Sequence, residues 1–215
     1  MKTKLLLALS LALAPALLAH SVWLEDTPEK KLVIRFGEVG DTLETSPGHL
    51  DRLSLPVAWT PAADGKPAAF AVEKKSDHFL LVAAAPTAPA LGETLFPVMK
   101  RGDNPASWPH FYVRWQPAGA PPPAQPALTL DILPTANAGE FRVYLRGRPL
   151  PGATVVVHAK TESEIKADAE GRFRFSAPAG LAVLTCNHKE NVNGFVAGTA
   201  YEVTSHNTAL AFRQP

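Results

Sequence analysis

Twenty-one prolines are spread along this 215-residue chain, and they limit its fold more than any other feature. Proline breaks helix interiors, and no stretch beyond residue 20 keeps a helical period of apolar residues for three turns. Short runs alternate with a period of two instead: His110–Trp115 places Phe111, Val113 and Trp115 on one face and polar residues on the other. Such runs, separated by Gly and Pro turns, predict antiparallel sheets with one face in water. The expected class is all-β, without helices longer than about three turns.

Residues 117–127 form the most evident boundary. Their prolines cannot donate to a sheet and favour an extended, semi-rigid spacer. We therefore expect two β-sandwich-like domains, at 20–116 and 128–215.

The first nineteen residues have the pattern of a secretory signal peptide. A basic start is followed by an apolar stretch from Leu5 to Leu18 and by the small residue Ala19. The stretch is about 14 residues long, shorter than the roughly 20 that span a bilayer. The sequence predicts an exported, periplasmic protein that begins at His20 and does not itself span the membrane. Cleavage after Ala16 is the alternative, and it would place His20 inside the chain.

An N-terminal histidine is a candidate metal ligand. Its free amine and its Nδ1 can close a chelate ring on one ion, and these nitrogen donors suit nickel, cobalt or copper. An alanine added ahead of His20 would then weaken binding by about tenfold or more.

Charge and cysteine content reduce the number of function classes to consider. Lys and Arg number 21 against 20 Asp and Glu, and the basic residues are dispersed, so nucleic acid is not an expected partner. Cys186 is the one cysteine, which excludes an intrachain disulfide and is more typical of a small buried residue than of a ligand. No catalytic motif is present, and we do not expect an enzyme.

The C-terminal half carries the clearest fold motif. A Gly-Arg-Pro-Leu-Pro-Gly-Ala turn at 147–153 leads into a strand at 154–158, and Asp-Ala-Glu-Gly at 168–171 leads into Arg-Phe-Arg-Phe. This order, over residues 138–188, resembles the transthyretin-like or carboxypeptidase-regulatory-like sandwich. The resemblance implies a Greek-key fold and says little about function.

A second resemblance extends over nearly the whole chain. The start His-Ser-Val-Trp-Leu at 20–24, the strand ending in His188, and the tail from His206 to Phe212 follow one another in the order of a known family. That family comprises periplasmic accessory proteins of cobalt and nickel uptake systems and is largely catalogued as a domain of unknown function. The resemblance implies divalent-metal binding and a membrane metal transporter as partner.

The candidate ligands are His20, His188 and His206, together with His110, which lies on the polar face of its predicted strand. If the strand of His188 lies beside the final strand, His188 and His206 can approach across the ladder. Three other histidines are expected at the surface or a sheet edge, without partners at ligand spacing: His49, His78 and His158. The alternative function is a structural or adhesive sandwich that binds protein or glycan without metal.

Overall fold

The computed structural model describes residues 20–61 and 66–214, so the expected signal peptide at 1–19 lies outside the described residues. Within these ranges the chain forms eighteen β-strands and a short 3₁₀ helix at His49–Arg52, which confirms the all-β class. No helix in the described ranges is long and apolar enough to cross a bilayer. The strands are β1 (Ser21–Asp26), β2 (Leu32–Gly37), β3 (Val57–Thr60), β4 (Ala68–Phe70), β5 (Val72–Lys74), β6 (Phe79–Leu81), β7 (Ala90–Leu95), β8 (Ser107–Trp115), β9 (Leu130–Pro134), β10 (Glu140–Leu145), β11 (Arg148–Pro149), β12 (Thr154–His158), β13 (Ser163–Lys166), β14 (Arg172–Arg174), β15 (Gly180–Glu190), β16 (Gly194–Val196), β17 (Thr199–Tyr201) and β18 (Val203–Gln214).

Three layers of sheet make up the fold. The central sheet has eight strands in the order β13-β12-β15-β18-β8-β7-β3-β4. The sheet β1-β2-β6-β5 packs on one of its faces and forms the first core. On the other face, β9, β10 and β14 pack to form the second core. This layered arrangement is the sandwich-like packing expected from the sequence.

Strand β8 shows why the central sheet is buried on both sides. Phe111, Val113 and Trp115 lie in the first core, as the alternation predicts. The opposite face was expected in water, and this expectation is wrong: Tyr112 and Arg114 are 4% and 1% exposed. The strands that follow the proline-rich segment cover that face.

Strands from both halves of the chain meet in the central sheet. Strand β8 precedes the proline-rich segment, and it pairs in parallel with the last strand, β18. This parallel pairing departs from the expected antiparallel sheets, and it needs no tight turn because the two strands are far apart in sequence. The division into two domains at 117–127 stays a prediction. Strands on both sides of this segment, such as β8 and β18, belong to the same central sheet.

The C-terminal strands pack in two sheets, as the first resemblance implies. Apolar residues of β9, β10 and β14 face those of β12, β15 and β18 across the second core. Strands β15 and β18 form a long antiparallel ladder from Gly180↔Gln214 to Glu190↔Thr204. His206 was expected just before the final strand, but it lies inside β18, because the strand begins at Val203.

Candidate metal centre

The start of β1 and the end of β2 bring His20 and Glu44 together. Ser21, the first residue of β1, is opposite Gly37 at the end of β2. The chain then turns, and Leu43 forms a bridge back to Gly37. Glu44 therefore follows directly at the edge where His20 enters β1.

Glycine is required at position 37 for this return. Its φ is +143°, and a Cβ atom built there would lie 2.2 Å from the carbonyl oxygen of Thr42. Any side chain would therefore force the returning segment away and displace Glu44.

A tight turn places His49 on the other side of Glu44. The Asp51 carboxylate accepts hydrogen bonds from the Gly48 N–H (3.0 Å) and from the Ser46 hydroxyl (2.7 Å), and it forms an ion pair with Lys74. The hydrogen bond from Lys74 is the main reason that the pKa of Asp51 falls to about 2. Asp51 thus holds the turn in place at neutral pH, and His49 begins the 3₁₀ helix beside Glu44.

The resulting group of His20, Glu44 and His49 is called the His20 cluster. Glu44 Oε1 lies 2.5 Å from His20 Nε2 and 3.1 Å from His49 Nδ1. The three ligand atoms all lie within 4.8 Å of one another, and among residues 20–61 and 66–214 this is the one such group of three or more His, Cys, Asp or Glu side chains. Two imidazoles and a carboxylate are a donor set that divalent transition metals accept.

Glu44 stays ionised in this setting. Partial burial raises the pKa of Glu44, but the hydrogen bonds with His49 and His20 outweigh burial, so the net shift of its pKa is downward. A carboxylate that is charged near neutrality is ready to meet a cation.

Two members of this cluster were not predicted from the sequence. His49 was interpreted as a surface residue without a partner, and Glu44 was not singled out. The position of Glu44 depends on the return of the chain to Gly37, and that of His49 on the Asp51 turn. Neither contact has a recognisable sequence pattern: His20 is 24 residues from Glu44, and Glu44 and His49, five residues apart, lie in a segment without a strand.

The other three candidate ligands lie side by side. His188 is opposite His206 in the β15–β18 ladder, and His206 is opposite His110 in the β18–β8 pair. We call these three residues the histidine row. The expected approach of His188 and His206 across neighbouring strands is confirmed, and the rings of His206 and His110 have centroids 5.7 Å apart.

Hydrogen bonds occupy both ring nitrogens of His206. Nε2 lies 2.9 Å from the Glu190 carboxylate and Nδ1 lies 3.0 Å from the Tyr112 hydroxyl. A neutral imidazole satisfies both contacts if Nε2–H donates to Glu190 and Nδ1 accepts from Tyr112, a tautomer inferred from the partners. Burial lowers the pKa of His206 more than the hydrogen bond with Glu190 raises it. An ion at His206 would have to displace one of these partners.

His20 does not join the histidine row. Its ring contacts Phe36, with centroids 5.4 Å apart, on the side of the central sheet that carries the first core. Residues of the row alternate with first-core residues such as Phe111 and therefore project from the opposite face. The structure thus separates one predicted ligand from the other three.

Burial makes His110 an acid-sensitive residue. Its Nε2 is buried without a hydrogen-bond partner among the described residues, and burial, together with repulsion from His206 when that ring is protonated, lowers the pKa of His110 to about 4. In the unfolded chain a histidine takes up its proton near pH 6.5. Between these values the unfolded state binds more protons, so the free energy of unfolding should fall as pH drops from about 6.5 towards 4.

Urea unfolding at pH 7 and pH 5 tests this expectation. His110→Gln cannot titrate and should lose less stability between the two pH values than the natural protein does. His49→Gln is the control, because His49 is exposed and outside the core. If His110→Gln loses as much stability as the natural protein, His110 does not cause the acid sensitivity.

Cys186 and the histidines outside the cluster and the row have contacts typical of structural residues. Cys186 is 4% exposed, and burial raises the pKa of its thiol to about 12, in agreement with a small buried residue. His158 Nδ1 lies 3.2 Å from Glu162, and His78 Nδ1 lies 2.7 Å from Asp77. Neither histidine belongs to a group of three possible ligands in the described part of the chain.

Comparison with known proteins adds no further assignment. No protein-family model matches the sequence, and no curated protein matches it. Function is therefore inferred from the geometry of the His20 cluster together with the motifs of the chain.

Proposed function

We propose that the protein binds a divalent transition-metal ion, nickel, cobalt or copper, at the His20 cluster. The observation that carries the proposal is the position of Glu44 Oε1, which lies within hydrogen-bonding distance of a ring nitrogen of His20 and of His49. An ion there would replace the two hydrogen bonds by metal bonds to nitrogen and oxygen. Ligands of these types suit all three metals.

Exposure of the cluster supports metal exchange with solvent. The side chains of His20, Glu44 and His49 are 36%, 20% and 61% exposed. The carboxylate is thus the most protected member, and the two imidazoles reach water. An ion can enter without local unfolding, as exchange between a protein and a transport system requires.

The expected cellular role follows from the sequence motifs. The signal-peptide pattern and the resemblance to cobalt and nickel uptake accessory proteins support a periplasmic protein that supplies metal to a membrane transporter. The structural or adhesive alternative requires no ion. A protein prepared without metal that binds none of the three ions at micromolar concentration would favour that alternative.

His20 can hold an ion in two ways, which differ in the ring nitrogen used. In the first, Nε2 binds together with Glu44 and His49, the arrangement that the distances favour. In the second, the amine of a mature N-terminal His20 and its Nδ1 form the chelate suggested by the sequence. Glu44 would then accept a hydrogen bond from Nε2–H and orient the ring, as carboxylates do for many metal-bound histidines.

One added alanine ahead of His20 distinguishes the two arrangements. It removes the amine from reach but leaves the three side chains in place, so we expect the Ni(II) and Cu(II) dissociation constants to change by less than about threefold. Both constants are measured by competition titration with a chelator of known affinity. A loss of tenfold or more would place the ion on the amine and Nδ1 instead.

A further inference from the structure

A cleft adjoins the His20 cluster. Its volume is about 480 Å³, and it lies between the beginning of β1 and the first-core side of β12, β13 and β15. His20 and Ser21 form one wall, while Thr154 and Thr185 belong to the strands opposite. The volume is within the range of about 300–1,000 Å³ that is usual for small-molecule sites.

Charge in the cleft favours a cationic ligand. Two of the described residues that line it are acidic, Glu162 and Glu164, and none of them is Lys or Arg. Glu162 also lies 3.2 Å from His158 Nδ1. A positively charged group would be attracted to this end of the cleft, and an anionic group would be repelled.

Polar groups in the cleft are held in fixed positions. The Asn187 amide nitrogen donates to Ser205 Oγ (2.8 Å) and to Asn207 Oδ1 (2.8 Å). The Asn207 amide nitrogen in turn donates to the carbonyl oxygen of His110 (3.1 Å). Both asparagines line the cleft, and such fixed polar groups give a small-molecule site its specificity.

His20 belongs to both the cleft and the cluster, whereas Glu44 and His49 are not among the cleft residues. An ion at the cluster would have three side-chain ligands, and nickel, cobalt and copper take four or more. Small ligands from the cleft side can fill the open positions.

We propose that the cleft binds a free α-amino acid with a cationic side chain. Its amine and carboxylate complete the coordination of the ion at His20, and its side-chain charge lies at Glu162 and Glu164. This inference rests on the proposed function, since the ion holds one end of the ligand. The protein would then take up its metal as an amino-acid chelate.

The test uses the mature protein loaded with one equivalent of Cu(II) and titrated with L-lysine, L-norleucine or L-glutamate. Binding is followed by electron paramagnetic resonance and the visible absorption of Cu(II), and copper retained by the protein is measured after spin filtration. L-Norleucine has the same chelating group as L-lysine and nearly the same length, but no charge on its side chain. We expect L-lysine to bind about fivefold more tightly than L-norleucine, and L-glutamate to bind most weakly.

The double variant Glu162→Gln/Glu164→Gln should bind L-lysine and L-norleucine within about twofold of each other and keep its affinity for Cu(II). Glu29→Gln/Glu170→Gln is the matched control, because it removes two exposed carboxylates outside the cleft and should keep the preference. Equal binding of L-lysine and L-norleucine by the natural protein, or a Cu(II) spectrum that no amino acid alters, would overturn the inference alone. A protein that fails to bind Cu(II) before any amino acid is added would overturn the proposed function as well.

Discussion

Replacing Asp131 by alanine is expected to lower the free energy of unfolding by about 3–5 kcal/mol, the usual cost of leaving a buried charge without its partner. Asp131 on β9 is fully buried, and its carboxylate accepts hydrogen bonds from Arg114 Nε (2.9 Å) and Nη2 (2.6 Å). Arg114 lies on β8 and is 1% exposed, so its guanidinium would keep its charge inside the second core. The N–H groups of Ala127 and Leu128, which also donate to Asp131, would lose their acceptor.

A second variant separates two contributions to the loss of unfolding free energy: the unpaired Arg114 charge and the altered packing of the core. Arg114→Met/Asp131→Leu removes both charges and keeps apolar volume, so it should lose less than half of what Asp131→Ala loses, since buried pairs replaced together are often nearly neutral. Urea unfolding followed by tryptophan fluorescence gives both values. A loss below about 1 kcal/mol for Asp131→Ala would mean that the guanidinium reaches water or another partner.

The strands could be predicted from the sequence where the alternation was regular. The Thr154–His158 strand and the alternation of β8 agree with the structure, because a period of two is a direct consequence of strand geometry. What lies on the polar face of β8 could not be predicted. Arg114 and Asp131 have the pattern of solvent-facing residues, since a buried ion pair and an exposed polar face give the same alternation.

The candidate site could be predicted from the sequence only in part, for a similar reason. His188 and His206 could be placed together because they lie on strands expected to be neighbours, and the ladder confirms it. The partners of His20 depend on where the chain goes after β2. Gly37 and the Asp51 turn decide that path, and their effect appears only once the backbone is folded.

Replacing His20 by alanine is expected to weaken Ni(II) or Cu(II) binding by about a hundredfold, or about 2.7 kcal/mol. His20 is a ligand in both arrangements of the site, through Nε2 in one and through Nδ1 and the amine in the other. His49→Ala and Glu44→Gln should each cost about tenfold or more, because each removes one of the remaining two ligands of the cluster. Isothermal titration calorimetry of the protein prepared without metal measures all three.

Two controls locate the site. His78→Ala removes a histidine that pairs with Asp77 outside the cluster, and it should leave the metal affinity within about twofold. His206→Ala tests the histidine row, and we expect an equally small change in affinity, because the His206 nitrogens already have protein partners. If His206→Ala or His188→Ala weakens binding while His49→Ala does not, the ion belongs to the histidine row and the proposed site is wrong.

The same titrations at lower pH distinguish imidazole ligands from a purely carboxylate site. Imidazole binds a metal only in its neutral form, so protons compete with the ion as the pH falls. The lowered pKa of Glu44 keeps its carboxylate charged while the imidazoles take up protons. The affinity for Ni(II) should therefore drop between pH 7.5 and pH 5.5 although the carboxylate remains available. His49→Ala has one imidazole fewer to protonate, so its affinity should fall less steeply than that of the natural protein. Equal pH slopes for the two proteins would show that His49 is not a ligand, whatever its distance from Glu44.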